Sequence, residues 1–454
     1  MRSAVRLHRL ALQLLPRLGA QAGRLVLSLF FKALLGIARI FHFDSLKDPG
    51  LALLTGGRTV LTRRTLGGLL RAAPVRGVLR LLHRTEPRMA RAKTHTISID
   101  EHVIARFTRK FRIPKGFHTI RNKSMRAEKL FYSFGIETRG LLSLVVTRGS
   151  ATLAAVSREL LARLRRRVRG ATLRVILDAG AAANSTRLWH LAAQPGQVTL
   201  VRTPRRPAYR KAWKALPPKA WTRREEAGPY TAAPPKVVHV AETRTRLTIG
   251  ERGGPKRSVE VRTIVVREAR RRGHERWHAL WVFGDDTTAA WALVQEYRGR
   301  QHHEQTYRVL VHDAALDAAP SGYAKRSPNP DRPGFRQNAL TLYAWVAALA
   351  LAAVRALAPR LPGASAKLHL RTLRRWWLCV PAELYLTPTT LIVMLHPGRR
   401  RALWDDVVRE ANRDPVRIPW LDHRKLVLSI DHPITPPHPE ATLAPGSRPR
   451  SVWC

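Results

Sequence analysis

The chain has 454 residues, of which 45% are hydrophobic and 25% are charged. These proportions are ordinary for globular proteins, and the length allows about three structural units, so wholesale disorder is excluded. The charge balance is not ordinary, because 81 Lys and Arg against 31 Asp and Glu leave a formal net charge of +50. Such a surplus repels itself unless a polyanion neutralises it. Nucleic acid is therefore the expected partner, and an anionic membrane is the second candidate.

The cysteine content and the first residues bear on the compartment. Two cysteines, Cys379 and Cys454, exclude a disulfide framework and any Cys-rich zinc finger. A reducing setting is expected, with a cytoplasmic, nucleoid-associated location in a bacterium. The segment from Met1 to Leu18 lacks a clean apolar stretch followed by a small-residue cleavage site, so no signal peptide is predicted.

Two apolar stretches bear on membrane association. Leu25–Phe43 is interrupted by Lys32 and Arg39, and the uncharged stretch 337–354 has 18 residues, the lower limit for a spanning helix. The second stretch is rich in alanine, so its insertion into a bilayer would be weak. We favour a buried core helix and expect no membrane partner. A membrane-surface protein using both stretches is the weakest alternative.

Residues 1–93 are predicted to form a helical, basic DNA-binding domain. They hold 18 Lys and Arg against 3 Asp and Glu, and apolar residues recur at helical spacing in 66–70 and 78–82. Thr62 or Thr65 can cap one helix, and Pro74 separates it from the next. A plain helical bundle is favoured over a helix-turn-helix, whose pattern is common by chance.

From residue 94 the pattern changes to α/β with a mixed sheet. A hairpin is predicted across Thr138–Gly140, and the first strand is expected to end at Asp100. The predicted elements, in chain order, are strands at 94–100, 130–136 and 141–146, a helix at 151–168, a strand at 173–177, a short helix at 188–193 and a strand at 198–201.

Residues 204–276 are rich in proline and then in short β segments, at 237–240, 246–249 and 259–266, which predicts an all-β insertion. A strand at 277–283, one helix from Thr287 to about His312 and a Pro-rich loop at 319–335 lead to the apolar helix. A small ββαβ unit follows. The predicted divisions are 1–93, 94–203 (first part of the α/β core), 204–276, 277–360 (second part of the core), 361–431 and a disordered Pro-rich tail at 432–454.

Three acids stand out by their placement. Asp100 and Asp178 each follow a predicted strand of the same sheet, and Glu304 lies on a helix beyond the insertion. Acids at adjacent strand ends with a third from a helix can hold two Mg²⁺ ions about 4 Å apart, one for each oxygen of a phosphodiester exchange. Carboxylates suit Mg²⁺, which prefers oxygen ligands. A chain with 31 acids offers many such sets of three, and most acids at strand ends are solvated turn residues. The placement by itself is therefore weak evidence for a metal site.

The helix around Glu304 adds specificity. Tyr297, Arg300 and Glu304 are spaced three and four residues apart and share one helical face, and Arg308 follows one turn later. Arg300 can pair with the Glu304 carboxylate or with a phosphate. The alternative is an exposed, salt-bridged helix. A metal trio of His302, His303 and Glu304 is disfavoured, because adjacent helical residues point in different directions.

The spacing Tyr297-x2-Arg300-x3-Glu304 resembles the Tyr-Arg-Glu-Lys signature of insertion-sequence DDE transposases, in the branch called insertion-sequence family four. The run from Tyr297 to Arg308 is similar to the helix that carries the catalytic Glu in that family. The segments around Asp100 and Asp178 are similar to the blocks around its two catalytic aspartates. The resemblance covers about residues 94–356.

The resemblance implies a ribonuclease-H-like sheet with a β insertion, and a DNA transposase that hydrolyses phosphodiester bonds and transfers strands at terminal inverted repeats. It also implies two Mg²⁺ ions, with Mn²⁺ as a substitute, contacts to target DNA, and a dimer in the DNA complex. The implied site residues are Asp100, Asp178 and Glu304 as catalytic metal ligands, and Tyr297, Arg300, Arg308, Lys115, Arg121 and Lys123 as DNA contacts.

The sequence departs from the signature at one position. Seven residues after Glu304 the family has Lys, whereas this chain has Val311. A phosphate contact is then absent, or is supplied by Arg308 or His312. The alternative function is therefore a catalytically inactive, decayed or repurposed, basic DNA-binding protein.

Two further acids compete for the site. Asp285 and Asp286 also end a predicted strand. We favour Asp286 as the N-cap of the helix expected to begin at Thr287, because aspartate side chains accept hydrogen bonds from the first free N–H groups of a helix.

Overall fold

The protein divides into two compact units, Met1–Thr85 with Tyr307–Cys454, and Glu86–Thr306. The finer division predicted from the sequence stays a prediction. The structure is a computed structural model, and it describes residues 1–89, 91–107, 113–118, 121–168, 170–183, 188, 194–226, 236–249, 257–269, 275–320, 338–362 and 370–430. The short helix expected at 188–193, apart from Leu188, most of the loop expected at 319–335 and the tail at 432–454 lie outside these residues.

The helices and strands of the described residues are numbered in chain order. The helices are α1 Arg2–Leu14, α2 Gln21–Leu35, α3 Pro49–Leu54, α4 Arg63–Ala72, α5 Val75–Thr85, α6 Leu153–Arg167, α7 Pro207–Lys214, α8 Ala290–Arg298, α9 Gln301–His312, α10 Asn338–Leu357, α11 Leu370–Leu373 and α12 Arg401–Arg413. The strands are β1 Thr94–Ala105, β2 Lys115–His118, β3 Lys123–Gly135, β4 Gly140–Arg148, β5 Thr172–Leu177, β6 Gln197–Arg202, β7 Trp221–Glu226, β8 Lys236–Ile249, β9 Arg257–Ala269, β10 Glu275–Phe283, β11 Ala382–Leu386, β12 Thr390–Leu395, β13 Arg417–Ile418 and β14 Arg424–Ile430.

The unit Glu86–Thr306 is built on one mixed sheet, as the α/β prediction expects. Its strand order is β2-β3-β1-β5-β6-β10-β9-β8-β7, and β4 pairs with β3. Strands β1, β3 and β4 form an antiparallel meander that includes the predicted hairpin, whereas β5 and β6 run parallel to β1. The parallel pairs need a crossover, and α6 supplies the one between β4 and β5.

Side-chain alternation along the central strands assigns their two faces. Ile99 and Leu177 belong to the apolar cluster that contains the buried leucines of α6, whereas Ile176 belongs to the cluster that contains Leu293 of α8. Because successive residues of a strand point to opposite faces, α6 and α8 cover opposite sides of the sheet. The sheet is therefore the middle layer of this unit.

The prediction of an all-β insertion at 204–276 is wrong in one respect, and its strands pair in a way that the sequence did not predict. Its first part contains a helix, α7, and its strands β8 and β9 continue the central sheet through antiparallel pairing with β10. The two short segments expected at 237–240 and 246–249 are one long strand, β8. Sequence pattern finds extended segments, but pairing decides which sheet they join.

The unit Met1–Thr85 with Tyr307–Cys454 has a helical part and a small sheet. The small sheet has the order β11-β12-β14-β13, and α12 precedes β13. In the helical part, Thr62 rather than Thr65 caps α4, because its side chain accepts a hydrogen bond from the Thr65 N–H at 3.3 Å. Pro74 separates α4 from α5, as predicted.

Within the described residues, one helix, spanning Asn338–Arg360, is long and apolar enough to cross a membrane by length and composition, and 67% of its most apolar window is buried inside the protein. Burial of this kind is expected of a core helix. Asn338 at its start is buried and donates hydrogen bonds to the carbonyl oxygens of Arg71 and Ala73, which anchors α10 to the end of α4.

Lys32 is a charged residue inside this helical part. It is 2% exposed, and its ammonium lies 4.8 Å from the centre of the Tyr343 ring. Burial, together with repulsion from the nearby Arg374 guanidinium, lowers the pKa of Lys32 to about 7. The unfolded chain, where the pKa is near 10.5, binds the proton more tightly between these two values.

We expect the free energy of unfolding to rise with pH between about 7 and 10, because the unfolded state binds more protons there. Lys32→Met should raise that free energy at pH 7 by about 2 kcal/mol and flatten its pH dependence. Urea unfolding of the full chain at several pH values measures both effects. Lys47→Met, at an exposed lysine, is the matched control. Equal pH slopes for Lys32→Met and the unmodified chain would contradict this account.

Candidate active site

Asp100 and Asp178 lie side by side on one face of the central sheet. In the parallel pairing of β1 and β5, Ile99 is opposite Leu177, so the next residue on each chain is an aspartate. Ile99 and Leu177 point to the α6 face, and alternation directs both aspartates to the α8 face. The adjacency expected from the sequence is therefore present.

One detail of that prediction is wrong, because Asp100 does not end its strand. Strand β1 continues to Ala105 and stays paired with β3 through that residue, while its pairing with β5 stops at Ile99. Asp100 thus lies where β1 loses its neighbour on one side and keeps it on the other. Its carboxylate accepts a hydrogen bond from the Glu101 N–H at 2.9 Å.

The single helix expected from Thr287 to His312 is broken at the site, so the prediction that Tyr297, Arg300 and Glu304 share the face of one helix is wrong. Helix α8 ends at Arg298 and α9 begins at Gln301, so Gly299 and Arg300 form a tight turn between them. A Cβ on Gly299 would lie 2.8 Å from the Ile136 side chain, so glycine allows this close approach. The turn directs Arg300 toward the aspartates.

Arg300 brings the three predicted acids together. Its Nη2 lies 3.5 Å from Asp100 Oδ2 and 3.3 Å from Asp178 Oδ2, and its Nη1 lies 2.5 Å from Glu304 Oε1. The acids come from β1, from the end of β5 and from α9, so only the fold places them around one guanidinium. We call these four residues the carboxylate cluster.

The solvent exposure of the side chains increases across the carboxylate cluster from Arg300 to Glu304. The side chains of Arg300 and Asp100 are 11% and 16% exposed, that of Asp178 is 35% exposed and that of Glu304 is 55% exposed. The cluster therefore has a closed side at the sheet and an open side at Glu304, where a large ligand can approach.

Burial decides the electrostatics of the inner acid. It raises the pKa of Asp100 to about 6, and the nearby Asp178 and Glu304 carboxylates add to the rise, against the lowering effect of Arg300. For Arg300, burial disfavours the charge, but Asp100 and Asp178 outweigh it and raise its pKa, so the guanidinium stays charged.

Two polar atoms of the cluster lack hydrogen bonds within the described part of the chain. Asp178 Oδ1 and Arg300 Nε are both buried and unpartnered. The cation near Asp178 Oδ1 is Arg202, whose Nη1 lies 4.0 Å away. The cluster is therefore paired by charge but not saturated with hydrogen bonds, which leaves capacity for a further ligand.

Arg202 was not singled out from the sequence, although a signal for it exists. In the parallel pairing of β5 and β6, Leu177 is opposite Val201, so Arg202 aligns with Asp178. A basic residue at the end of the next predicted strand therefore marks the same sheet edge. Arg202 did not stand out as a candidate, because the chain has many arginines and several of them lie close to it in the sequence.

The histidines beside Glu304 have different positions. His303 is fully buried; its Nδ1 lies 3.1 Å from Ser98 Oγ, and its ring stacks on Phe134 at 5.0 Å. Burial, with repulsion from Arg300, lowers the pKa of His303 to about 3, so it is neutral and packs α9 against the sheet.

The donor chemistry of the cluster fits a hard divalent cation, because it offers carboxylate oxygens, one of them without a hydrogen bond. The arrangement itself is organised around a guanidinium. Among the residues that the structure describes, no group of three His, Cys, Asp or Glu side chains is arranged to hold a metal ion. The Arg300 guanidinium occupies the space between the three carboxylates.

The rival acids after β10 have a structural role that differs from the predicted one. Asp285, not Asp286, accepts hydrogen bonds from the Thr287 and Thr288 N–H groups, and α8 begins later, at Ala290. Burial works against the charge of Asp285, but its hydrogen bonds with Thr288 and Arg174 lower its pKa to about 2. Asp286 is exposed and pairs with Arg244 at 3.4 Å.

The residues expected to contact DNA occupy several environments. Lys115 is exposed on β2, Lys123 is exposed on β3, and Arg121 is exposed between these two strands. Arg308 is exposed on α9. Tyr297 differs, because its ring packs against the apolar cluster on the α8 face and burial raises the pKa of its hydroxyl. Tyr297 is only partly exposed, so little of its side chain is available for a DNA contact.

Comparisons with known proteins add little. No family model matches this chain, and no curated protein matches it. Among solved structures, it is similar to a chain of a cryo-EM structure of a piggyBac transposase synaptic complex with hairpin DNA, with 12% sequence identity and a TM-score of 0.38. The match covers 78% of this chain and 70% of that chain. A likeness this distant carries no argument about function.

The turn that positions Arg300 is testable at Gly299. Gly299→Ala should lower the free energy of unfolding by about 1–3 kcal/mol, because the added methyl meets Ile136. Urea unfolding measures the change. Gly68→Ala, inside α4 with open space around the added atom, should instead stabilise the chain by about 0.5–1 kcal/mol. The explanation is wrong if both variants are stabilised.

Proposed function

We propose that this protein is a DNA transposase of an insertion sequence, which cleaves phosphodiester bonds and transfers strands at the element's terminal inverted repeats with divalent metal ions. The observation that carries the proposal is the convergence of Asp100, Asp178 and Glu304 on one guanidinium, on a chain of net charge +50. The antiparallel meander followed by two parallel strands supports a ribonuclease-H-like description of the core.

The chain's own residues divide the work. Asp100, Asp178 and Glu304 would hold two Mg²⁺ ions, which when bound supply charge stabilisation to the attacking and leaving oxygens. Burial keeps Asp100 in a low-dielectric position, where its interaction with a cation is stronger than in water. The open side at Glu304 admits the scissile phosphate, and Arg300 can donate two parallel hydrogen bonds to it.

DNA binding in this proposal rests on charge. The exposed cations of β2 and β3, Arg308 and the basic helices α4 and α5 would neutralise backbone phosphates, which gives affinity with little sequence information. Joining two DNA ends in one complex is the reason to propose a dimer on DNA.

A second candidate function is a basic DNA-binding protein without catalysis. Two observations favour it: Val311 replaces the signature lysine, and a guanidinium lies among the acids where cations would bind. Both candidates bind DNA, so a salt dependence of binding does not separate them. Strand cleavage does.

Asp100→Asn, Asp178→Asn and Glu304→Gln should each abolish cleavage, by about a thousand-fold or more, and should leave DNA binding within about threefold, because each removes a metal ligand outside the basic surfaces. The substrate is a supercoiled plasmid carrying the DNA that flanks the coding sequence, incubated with Mg²⁺ or Mn²⁺. Cut positions are mapped by primer extension, and binding is measured by fluorescence anisotropy.

Asp286→Asn is the matched control, because Asp286 is an exposed strand-end acid outside the carboxylate cluster and should keep full cleavage. Cleavage that survives any of the three cluster substitutions would remove that residue from the site. Binding without cleavage by the unmodified chain, with both metals, would favour the second candidate function.

A further inference from the structure

Arg300 occupies the space that a cation would take in the carboxylate cluster. One nitrogen, Nη2, lies within 3.5 Å of both aspartates, and the other terminal nitrogen contacts Glu304. A Mg²⁺ ion needs carboxylate oxygens at about 2.0–2.1 Å in octahedral geometry, which requires the same oxygen lone pairs. The guanidinium and a divalent ion also repel each other in this partly buried site.

We propose that Arg300 is a resident counter-cation, which exchanges its place among Asp100, Asp178 and Glu304 for divalent metal when a DNA phosphate takes up the guanidinium. This inference rests on the proposed function, since it treats the cluster as the cation site. Without DNA, Arg300 offsets part of the negative charge of the acids and occupies the space between them, which keeps metal affinity low. With DNA, the phosphate draws Arg300 away and metal affinity rises.

The details of the side chain support an exchange. The Nε of Arg300 is buried without a hydrogen-bond partner among the described residues, so the guanidinium has donor capacity that the acids do not use. Arg300 lies in the turn between α8 and α9, where its backbone N–H makes a short-range bond to the Tyr297 carbonyl. A phosphate can accept two parallel N–H hydrogen bonds from one guanidinium, so it offers Arg300 an alternative partner to the acids.

The test measures Mn²⁺ binding to the full chain by the electron paramagnetic resonance signal of free Mn²⁺, with no turnover involved. Arg300→Gln should bind Mn²⁺ at least tenfold more tightly than the unmodified chain, because the competing cation is gone. The Mn²⁺ affinity of Arg300→Lys should lie between those of Arg300→Gln and the unmodified chain. Arg158→Gln, at an exposed arginine of α6 on the other face of the sheet, is the matched control and should bind Mn²⁺ as the unmodified chain does.

A DNA duplex with hydrolysis-resistant phosphorothioate linkages, whose own Mn²⁺ binding is measured and subtracted, should raise the Mn²⁺ affinity of the unmodified chain and should have little effect on that of Arg300→Gln. Equal or weaker Mn²⁺ binding by Arg300→Gln would overturn the inference, and Arg300→Lys tests the same point if the glutamine variant does not fold. Tight Mn²⁺ binding by Arg300→Gln without DNA cleavage by the unmodified chain would refute the proposed function and leave the exchange standing.

A different observation concerns two exposed phenylalanines near the β2–β3 hairpin. Phe107, just beyond β1, is 75% exposed and Phe117 on β2 is 52% exposed. The Arg121 guanidinium lies 4.9 Å from the centre of the Phe107 ring. Lys115 and Lys123 are exposed on the same hairpin, so this surface combines apolar rings with cations. We call it the Phe107 surface.

The geometry points to single-stranded DNA as the ligand of the Phe107 surface. Exposed rings offer stacking faces to unpaired bases, and neighbouring cations attract the backbone, a combination that recognises single strands with little sequence preference. A protein partner would fit the rings equally well, but the excess of cations at this surface selects a polyanion.

The test compares binding of a fluorescent oligothymidine and of a duplex of equal length by anisotropy. The double variant Phe107→Ala with Phe117→Ala should lose about tenfold or more in single-strand affinity and change duplex affinity by less than about twofold. Phe41→Ala is the matched control, because Phe41 is an exposed ring with the Arg39 guanidinium 6.0 Å from its centre. Equal losses for both DNA forms, or no loss, would overturn the assignment.

Discussion

The candidate site depends on charge compensation in a partly buried place. Two carboxylates of the central sheet and one of α9 repel each other, and the inner one, Asp100, is disfavoured further by burial. Arg300 makes the arrangement possible, because it is itself buried and contacts all three acids. A charge in a low-dielectric position needs a partner, so any change at one member of the cluster alters the others.

The frame around this cluster is built to hold it from several sides. Strand β1 is paired with β3 on one side and with β5 on the other, which fixes the spacing of the two aspartates. His303 packs α9 onto the sheet through Ser98 and Phe134. The turn at Gly299 sets the direction of Arg300. These contacts are apolar or neutral, so the cluster rests on packing that does not itself depend on ionisation.

Two sequence patterns singled out the candidate acids: placement after an apolar strand for Asp100 and Asp178, and the spacing from Tyr297 and Arg300 for Glu304. An acid after a run of apolar residues, and polar residues three and four apart, are local patterns of the kind that alternation and helical periodicity produce. In the structure, β1 continues beyond Asp100 and the helix is broken before Arg300. The same reasoning gave the wrong result where two neighbouring residues were almost equally suited to one role. Asp285 and Asp286 are adjacent, and only the path of the chain after β10 decides which one accepts the N–H groups.

The sequence by itself determined many of the core helices and strands, the strongly basic character and the three candidate acids, because these follow from side-chain periodicity and charge. Only the tertiary structure decided that 204–276 extends the central sheet, that one predicted helix is broken at Gly299, and that a guanidinium fills the middle of the acids. The physical reason is that strand pairing and ion pairing join residues far apart along the chain. Their free energy depends on distances that no local pattern contains.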